Sequence, residues 1–222
     1  MFKHAKVTQK IFLNETTVEL TLESLSFEFK TGQYITIKVG QDPESGKDVY
    51  RAYSIASAYT AEDHSFQLMV KQVPSGIGST YLCQTLQEGD TIEFMGPMGH
   101  FIFNPEEIGN KDILMISTGA GFAPMKAFSE EVIQSGMQNS VKHIIGTRAV
   151  ADMFYGHMLE TLPENFDVIQ CVSDPAQEDY DGYRGRVTEY IEHMLRDPGN
   201  TIVYICGNPA MVESVEQTLL EK

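Results

Sequence analysis

Four short stretches of this 222-residue chain combine side chains suited to binding phosphates and flat rings. The first is Arg51-Ala52-Tyr53-Ser54. Alternate residues of a strand share a face, so Arg51 can grip a phosphate bidentately while Tyr53 lies against a planar ring and Ser54 adds a donor and an acceptor. The spacing suits the phosphate, ring and N5 of a flavin in turn, though the same residues also make an ordinary strand with a surface arginine and a packed tyrosine. The second stretch runs from Pro74 to Leu82 and holds Gly76, Gly78, Ser79 and Thr80, a glycine-rich turn entering a helical pattern. Bare backbone N–H groups and about half a positive charge at a helix start make a seat for a pyrophosphate; a hairpin loop with a helix cap is the plainer alternative.

The third stretch, Ile113 to Pro124, reads as a buried strand, a tight turn and a helix start. Thr118, Gly119 and Gly121 sit where a dinucleotide fingerprint places its close backbone approach, with Pro124 in place of the third glycine. The fourth, Tyr204 to Met211, puts Cys206, Gly207 and Met211 at the carboxyl end of the last strand, where open α/β sheets bind ligands. A small thiol beside a glycine leaves room for a nicotinamide, while a free cysteine also serves as a plain buried hydrophobe. Arg148 ends the second strand of this half with no acid beside it in sequence, so it can meet a 2′-phosphate and points toward NADPH; otherwise it is a loop arginine balancing Asp152.

Two kinds of element must position these residues. Up to about residue 103 the apolar pattern has period two: Val18, Leu20, Leu22; Ile35, Ile37, Val39; Phe66, Leu68, Val70; Ile92, Phe94. This predicts a six-stranded antiparallel β-barrel over residues 1–105, with Arg51 on a central strand. Beyond Asn104-Pro105, apolar runs of four to six residues alternate with amphipathic stretches, which predicts an α/β domain with a parallel sheet over residues 106–222. Pro124 and Pro209 suit first helical turns, Asn208 an N-cap and Gly136 a C-cap. The last helix runs to Lys222 without a following strand, which suggests a trimmed or naturally short carboxyl terminus.

Charge and composition exclude several classes. Sixteen Lys and Arg against 31 Asp and Glu give −15, which disfavours nonspecific binding to nucleic acid or anionic membranes, so any phosphate site must be local. The second half holds 19 of the acids, against 12 up to residue 103, with 8 bases in each. No 18-residue apolar run and no amino-terminal apolar leader are present, so the chain reads as uncleaved and cytoplasmic. Three scattered cysteines, Cys83, Cys171 and Cys206, suit neither a disulfide framework nor a four-cysteine cluster, and no GxSxG, P-loop or HExxH pattern occurs. No metal site is expected.

The four motifs in this order resemble the ferredoxin–NADP reductase superfamily, over about residues 5 to 217. The resemblance implies that Arg51 holds a flavin phosphate, Tyr53 stacks on the isoalloxazine and Ser54 bonds near N5. Gly76, Gly78 and Ser79, with Thr80, would take the FAD pyrophosphate. Thr118, Gly119, Gly121, Pro124 and Arg148 would take NAD(P)H, with Cys206, Gly207 and Met211 around the nicotinamide. Tyr53, Ser54 and Cys206 would then flank the hydride path. The segment at 96–101 looks like the hinge of oxygenase-reductase members, while the motifs at 51–54 and 206–212 look equally like bacterial ferredoxin or flavodoxin reductases.

Two departures stand out. Asp174 occupies a position where the bacterial enzymes often carry arginine, and no terminal aromatic follows to cover the flavin. The implied function is hydride transfer from NAD(P)H to FAD and single-electron delivery to a separate acceptor: ferredoxin, flavodoxin, an oxygenase component or a small molecule. An acidic ferredoxin would need a local basic patch such as Lys3, Lys6 and Lys10; a neutral or basic partner would not. The alternatives are a reductase of free flavin and a noncatalytic protein that binds flavin and nucleotide. The oligomeric state is not legible.

Overall fold

A computed structural model describes residues 2–154, 156–174 and 180–221. The chain forms two compact units: Met1–Phe103 with Lys126–Glu131, and Asn104–Met125 with Val132–Lys222.

The first unit contains β1 (Lys3–Phe12), β2 (Thr17–Glu23), β3 (Tyr34–Gln41), β4 (Asp48–Ser54), β5 (Ser65–Lys71), the short helix α1 (Ile77–Thr80) running into a π-helical turn at Tyr81–Thr85, and β6 (Thr91–Met98). The strands pair antiparallel in the order β4-β3-β6-β1-β2-β5. A bridge between Ile55 and Leu68 joins the two ends of that order and closes the barrel. Alternation does what the sequence asks: Leu20, Leu22, Ile35, Ile37, Leu68 and Phe94 are wholly buried, each contributing about 1.5–3 kcal/mol. The rings of Phe27, Phe66 and Phe94 meet at 4.9–5.7 Å in its centre.

The strand carrying Arg51 is not central, as its sequence suggested. β4 stands at one end of the ladder, bonded along its length to β3 alone. None of its seven residues is fully buried, whereas β3 beside it alternates buried Ile35, Ile37 and Val39. α1 rests on the face of β4 that carries Arg51 and Tyr53, the face shared with Ile35 and Ile37 of β3.

The second unit contains α2 (Pro105–Ile108), β7 (Asp112–Thr118), α3 (Phe122–Gln134), β8 (Val141–Thr147), α4 (Gly156–Glu160), β9 (Phe166–Val172), β10 (Tyr183–Arg184), α5 (Ile191–Met194), β11 (Thr201–Cys206) and α6 (Pro209–Leu220). The sheet is parallel throughout, in the order β10-β9-β8-β7-β11. β7 is an inner strand and its Ile113–Ser117 run is fully buried, which explains an unbroken apolar segment rather than an alternating one. Its neighbours are β8 on one side and β11 on the other, so the strand order reverses at β7 and makes the switch point where such sheets bind ligands.

Caps follow the sequence. The Asn208 side chain accepts from the Ala210 N–H at 2.9 Å with Pro209 in the first turn of α6. Gly136, at φ +67°, donates its N–H to Ile133 O just past α3. The amphipathic stretch after residue 152 condenses to the short α4, with Tyr155 outside the described residues, and that at 187–194 to a 3₁₀ turn followed by α5.

The six residues of α3 grouped with the barrel have a physical tie to it. Lys126 is 6% exposed, and its ammonium donates to Ala56 O at 3.1 Å, Gln67 Oε1 at 2.6 Å and Glu130 Oε1 at 2.6 Å, with Glu19 Oε2 at 3.6 Å. The other Glu130 oxygen accepts from the Ala58 N–H at 2.9 Å, and Glu131 accepts from the Thr31 hydroxyl at 2.7 Å. A buried ammonium is tolerable only when paired in this way.

Candidate functional site

In the first unit the structure brings Arg51, Tyr53 and Gly78 together. A Cβ added at Gly78 would lie 2.7 Å from Tyr53 Oη and 2.8 Å from Arg51 Cγ, so the start of α1 rests directly on these two side chains and a larger residue there must displace something. Arg51 is exposed and donates one Nη1 bond at 2.8 Å to Tyr50 O, leaving most of its fork of donors outward. Tyr53 packs against the barrel core. Burial is the main cause that pushes its phenol up to about 12, so it stays a protonated donor at any ordinary pH. Ser54, half-buried at the end of β4, pairs with Tyr34 across the ladder.

The glycine-rich turn behaves differently from its reading as a set of phosphate ligands. The buried Ser79 hydroxyl accepts from the Val73 N–H at 3.0 Å and lies 3.3 Å from Gly76 O, so it closes its own turn. A Cβ at Gly76 would sit 2.7 Å from that hydroxyl, which gives Gly76 a packing reason of its own. The Thr80 N–H is engaged by Gly76 O at 2.9 Å. What remains for an anion at this turn is backbone: the first N–H groups of a helix lack intrahelical acceptors. A guanidinium, a neutral phenol and such backbone donors, gathered where a Cβ would intrude, form a donor set and a cradle that suit a phosphorylated planar ring.

In the second unit the carboxyl ends of β7 and β11 are locked to each other. Thr118 Oγ1 accepts from the Asn208 N–H at 3.1 Å. A Cβ on Gly121 would collide with the Cys206 carbonyl, and one on Gly207 with Thr118 Oγ1 and, at 2.8 Å, with Met211 Cε. Gly121 is therefore required by loop-against-loop packing, Gly207 by packing and by its φ of +154°, and Gly119, at φ +53° with open space beside it, by its backbone alone. Thr118, Gly119, Gly121, Cys206, Gly207 and Met211 thus form one cluster at the switch point. Pro124 is buried in the first turn of α3 and shapes the helix start. Cys206 is half-buried, and burial pushes its thiol upward, so it is protonated near neutrality.

Arg148 stands apart from that cluster, and an acid does stand beside it. Backbone bonds from Ser173 N to Thr147 O and from Asp174 N to Arg148 O, at 3.0 and 2.9 Å, continue the β8–β9 pairing past Val172. The Asp174 carboxylate lies 3.9 Å from Arg148 Nε, with Arg148 83% exposed. Residues 146–148 alone do not show this acid, because it arrives from the neighbouring strand in parallel register.

The suggested basic patch is partly engaged, with Lys6 exposed. Lys10 donates to Leu86 O at 2.6 Å and lies 5.6 Å from the Phe12 ring centre, Lys3 lies over Phe27, and Lys6 faces Glu23 across the ladder. Among the described residues no group of three or more His, Cys, Asp or Glu side chains could hold a metal, and no helix is long and apolar enough to cross a membrane.

The arginine–tyrosine face of the barrel and the interlocked glycine loops of the parallel sheet fit two nucleotide-binding domains. Residues 4–103 match the oxidoreductase FAD-binding domain family and residues 115–217 the oxidoreductase NAD-binding domain family. The chain belongs to the ferredoxin–NADP reductase superfamily.

It is 31% identical over 211 residues to the toluate 1,2-dioxygenase electron transfer component of Pseudomonas putida, covering 92% of this chain and 59% of that relative. It is 28% identical over 200 residues to the reductase component of propane 2-monooxygenase from Mycolicibacterium goodii, covering 87% and 55%. The chain therefore spans between 55% and 59% of the length of these relatives. The crystal structure of Amycolatopsis cytochrome P450 reductase GcoB superposes with a TM-score of 0.87 at 26% identity, over 100% of this chain and 66% of that one. A ferredoxin NADP⁺ reductase from Neisseria gonorrhoeae, solved with bound FAD and NADP, gives 0.82 at 25% identity, over 99% and 91%.

Proposed function

We propose that this chain is a flavoprotein reductase that takes hydride from a nicotinamide nucleotide onto bound FAD and delivers electrons singly to a separate acceptor. The observation that carries the reading is the cradle of Arg51, Tyr53 and Gly78. A bound flavin supplies the one piece of chemistry no side chain here has, accepting two electrons as hydride and releasing them one at a time.

The chain's own residues bind and orient. Arg51 neutralises a flavin phosphate, the neutral Tyr53 phenol lies along the ring, Ser54 bonds at its edge, and the turn entering α1 offers its remaining backbone N–H groups to the pyrophosphate, those of Gly76 and Thr80 being held by Val73 O and Gly76 O. Thr118, Gly119 and Gly121 seat the second nucleotide, with Pro124 setting the helix behind them. Cys206, Gly207 and Met211 leave a flat space for the nicotinamide, and the protonated thiol of Cys206 brings no negative charge toward the departing hydride. Asp174, held beside Arg148, suits a ribose 2′-hydroxyl and repels a 2′-phosphate, which favours NADH over NADPH. The partner is a protein or small molecule that accepts one electron; the named dioxygenase and monooxygenase relatives support an oxygenase component.

Protein purified without added flavin should be yellow, release FAD on denaturation, and oxidise NADH with ferricyanide as a one-electron acceptor. A colourless protein that binds flavin only during turnover would assign it to the free-flavin reductases. A yellow protein that oxidises neither nucleotide would make it a noncatalytic binding protein.

A further inference from the structure

His143 is deeply buried and has no part in the reaction proposed above. It lies within β8 at 2% exposure. Its Nε2 is 2.8 Å from Oγ of Ser117, which is wholly buried in β7. Its ring is stacked on Phe122, with centroids 5.4 Å apart and planes 7° apart. Ser117 and Phe122 lie on either side of the four residues Thr118-Gly119-Ala120-Gly121. One imidazole on the adjacent strand therefore holds both ends of that loop. Phe154 closes on the same phenyl ring edge-on at 5.5 Å.

The loop needs an external hold. Glycines lose more backbone freedom on ordering than other residues, and Gly119 adopts a positive φ with nothing packed where a Cβ would stand. Gly121 fits against Cys206 and Gly207 only if the loop keeps its position, because those contacts leave no slack. The Ser117 hydroxyl and the imidazole are buried together, so each is the other's protection against an unpaired buried polar atom. Burial pushes His143 down to about 3, so the ring is neutral throughout the physiological range and the hold does not vary with pH there.

We infer that His143, through Ser117 and Phe122, is a positioning residue that preorganises the 118–121 loop for a nicotinamide nucleotide. The inference rests on reading that loop as the nucleotide seat. Preorganisation of this kind lowers the ordering cost at binding and leaves the chemical step alone.

The test uses the flavin-loaded protein with Ser117→Ala, His143→Phe and the double variant. His143→Phe keeps a flat ring against Phe122 and removes only the hydrogen bond. Anaerobic stopped-flow reduction over a range of NADH concentrations gives the nucleotide Kd and the limiting rate separately, and absorbance gives the flavin content. Each single variant should weaken NADH by about tenfold, the double variant by about the same factor because both changes delete one interaction. The limiting rate should stay within about twofold and flavin content should not change.

Equal NADH affinity in Ser117→Ala and wild type, with only a lower melting temperature, overturns the proposal. So does a double variant about a hundredfold weaker, or a loss confined to the limiting rate. Should His143→Phe fail to fold, Ser117→Ala, which removes a single hydroxyl, decides alone. Wild-type protein that binds no nucleotide would instead overturn the reading of the loop itself.

Discussion

Gly78→Ala tests the flavin cradle with a single methyl group. The added Cβ would sit 2.7 Å from Tyr53 Oη and 2.8 Å from Arg51 Cγ, where ordinary contacts begin at 3.4 Å. One of three things must then move by about half an ångström or more: the α1 backbone, the phenol or the arginine stem. Each of these is assigned to the flavin. Gly78 has no positive φ, so the substitution tests packing and not backbone strain. Overpacking of this kind costs about 1–3 kcal/mol, which corresponds to about a 5- to 150-fold change in Kd if it falls on the ligand. Apoprotein reconstituted with FAD, followed by quenching of flavin fluorescence, reads that Kd; circular dichroism and a thermal scan read the fold. An affinity for FAD within twofold of wild type, in a folded Gly78→Ala protein, would refute the placement of the flavin on this face.

Further expectations concern other parts of the molecule. Arg51→Ala should weaken FAD by about 10- to 150-fold, the worth of charge-assisted hydrogen bonds, with little change in melting temperature because the side chain is exposed; a large fall in stability with FAD affinity kept would contradict it. Lys126→Met should cost about 3–5 kcal/mol in a denaturant titration, since it removes the buried cation that faces Glu19 and Glu130; a loss under about 1 kcal/mol would mean the network is not holding the helix. Asp174→Ser should narrow the preference for NADH over NADPH in kcat/KM, and an unchanged ratio would remove Asp174 from the ribose site. His143 adds an acid-side dependence. Its folded value, down to about 3, lies below the ordinary 6.5, so the stability it contributes is intact above pH 6.5 and is lost as pH falls toward 3. Between pH 6.5 and 5, above most carboxylate titration, His143→Phe should flatten the decline of melting temperature with pH; an identical slope would mean the imidazole is not kept neutral.

The barrel and the parallel sheet were legible because burial imposes different periods on them: one-sided strands alternate, as at Ile35, Ile37 and Val39, while β7, covered on both faces, does not. Period cannot say which strand pairs with which, so β4 looked central when it is terminal in the ladder. The glycines have packing and backbone reasons that the sequence does not display. Composition marks Gly121 and Gly207 as places for close approach, and only the fold shows that what approaches is the opposing loop. Ser79 looked like an anion ligand because its hydroxyl was free in sequence, where the turn that engages it is invisible. Lys126 and Asp174 share one difficulty. Each acquires its meaning from partners on other elements, from Glu19 and Gln67 in one case and from Arg148 in the other, and local pattern carries no trace of either.

The central claim, that one chain binds both a flavin and its hydride donor, is tested most directly by anaerobic titration of the purified yellow protein with NADH, following flavin absorbance near 450 nm and nicotinamide absorbance near 340 nm. The account predicts that one equivalent of NADH bleaches one equivalent of bound flavin, and that an added one-electron acceptor restores the colour. Flavin that stays oxidised while NADH accumulates unreacted would contradict it.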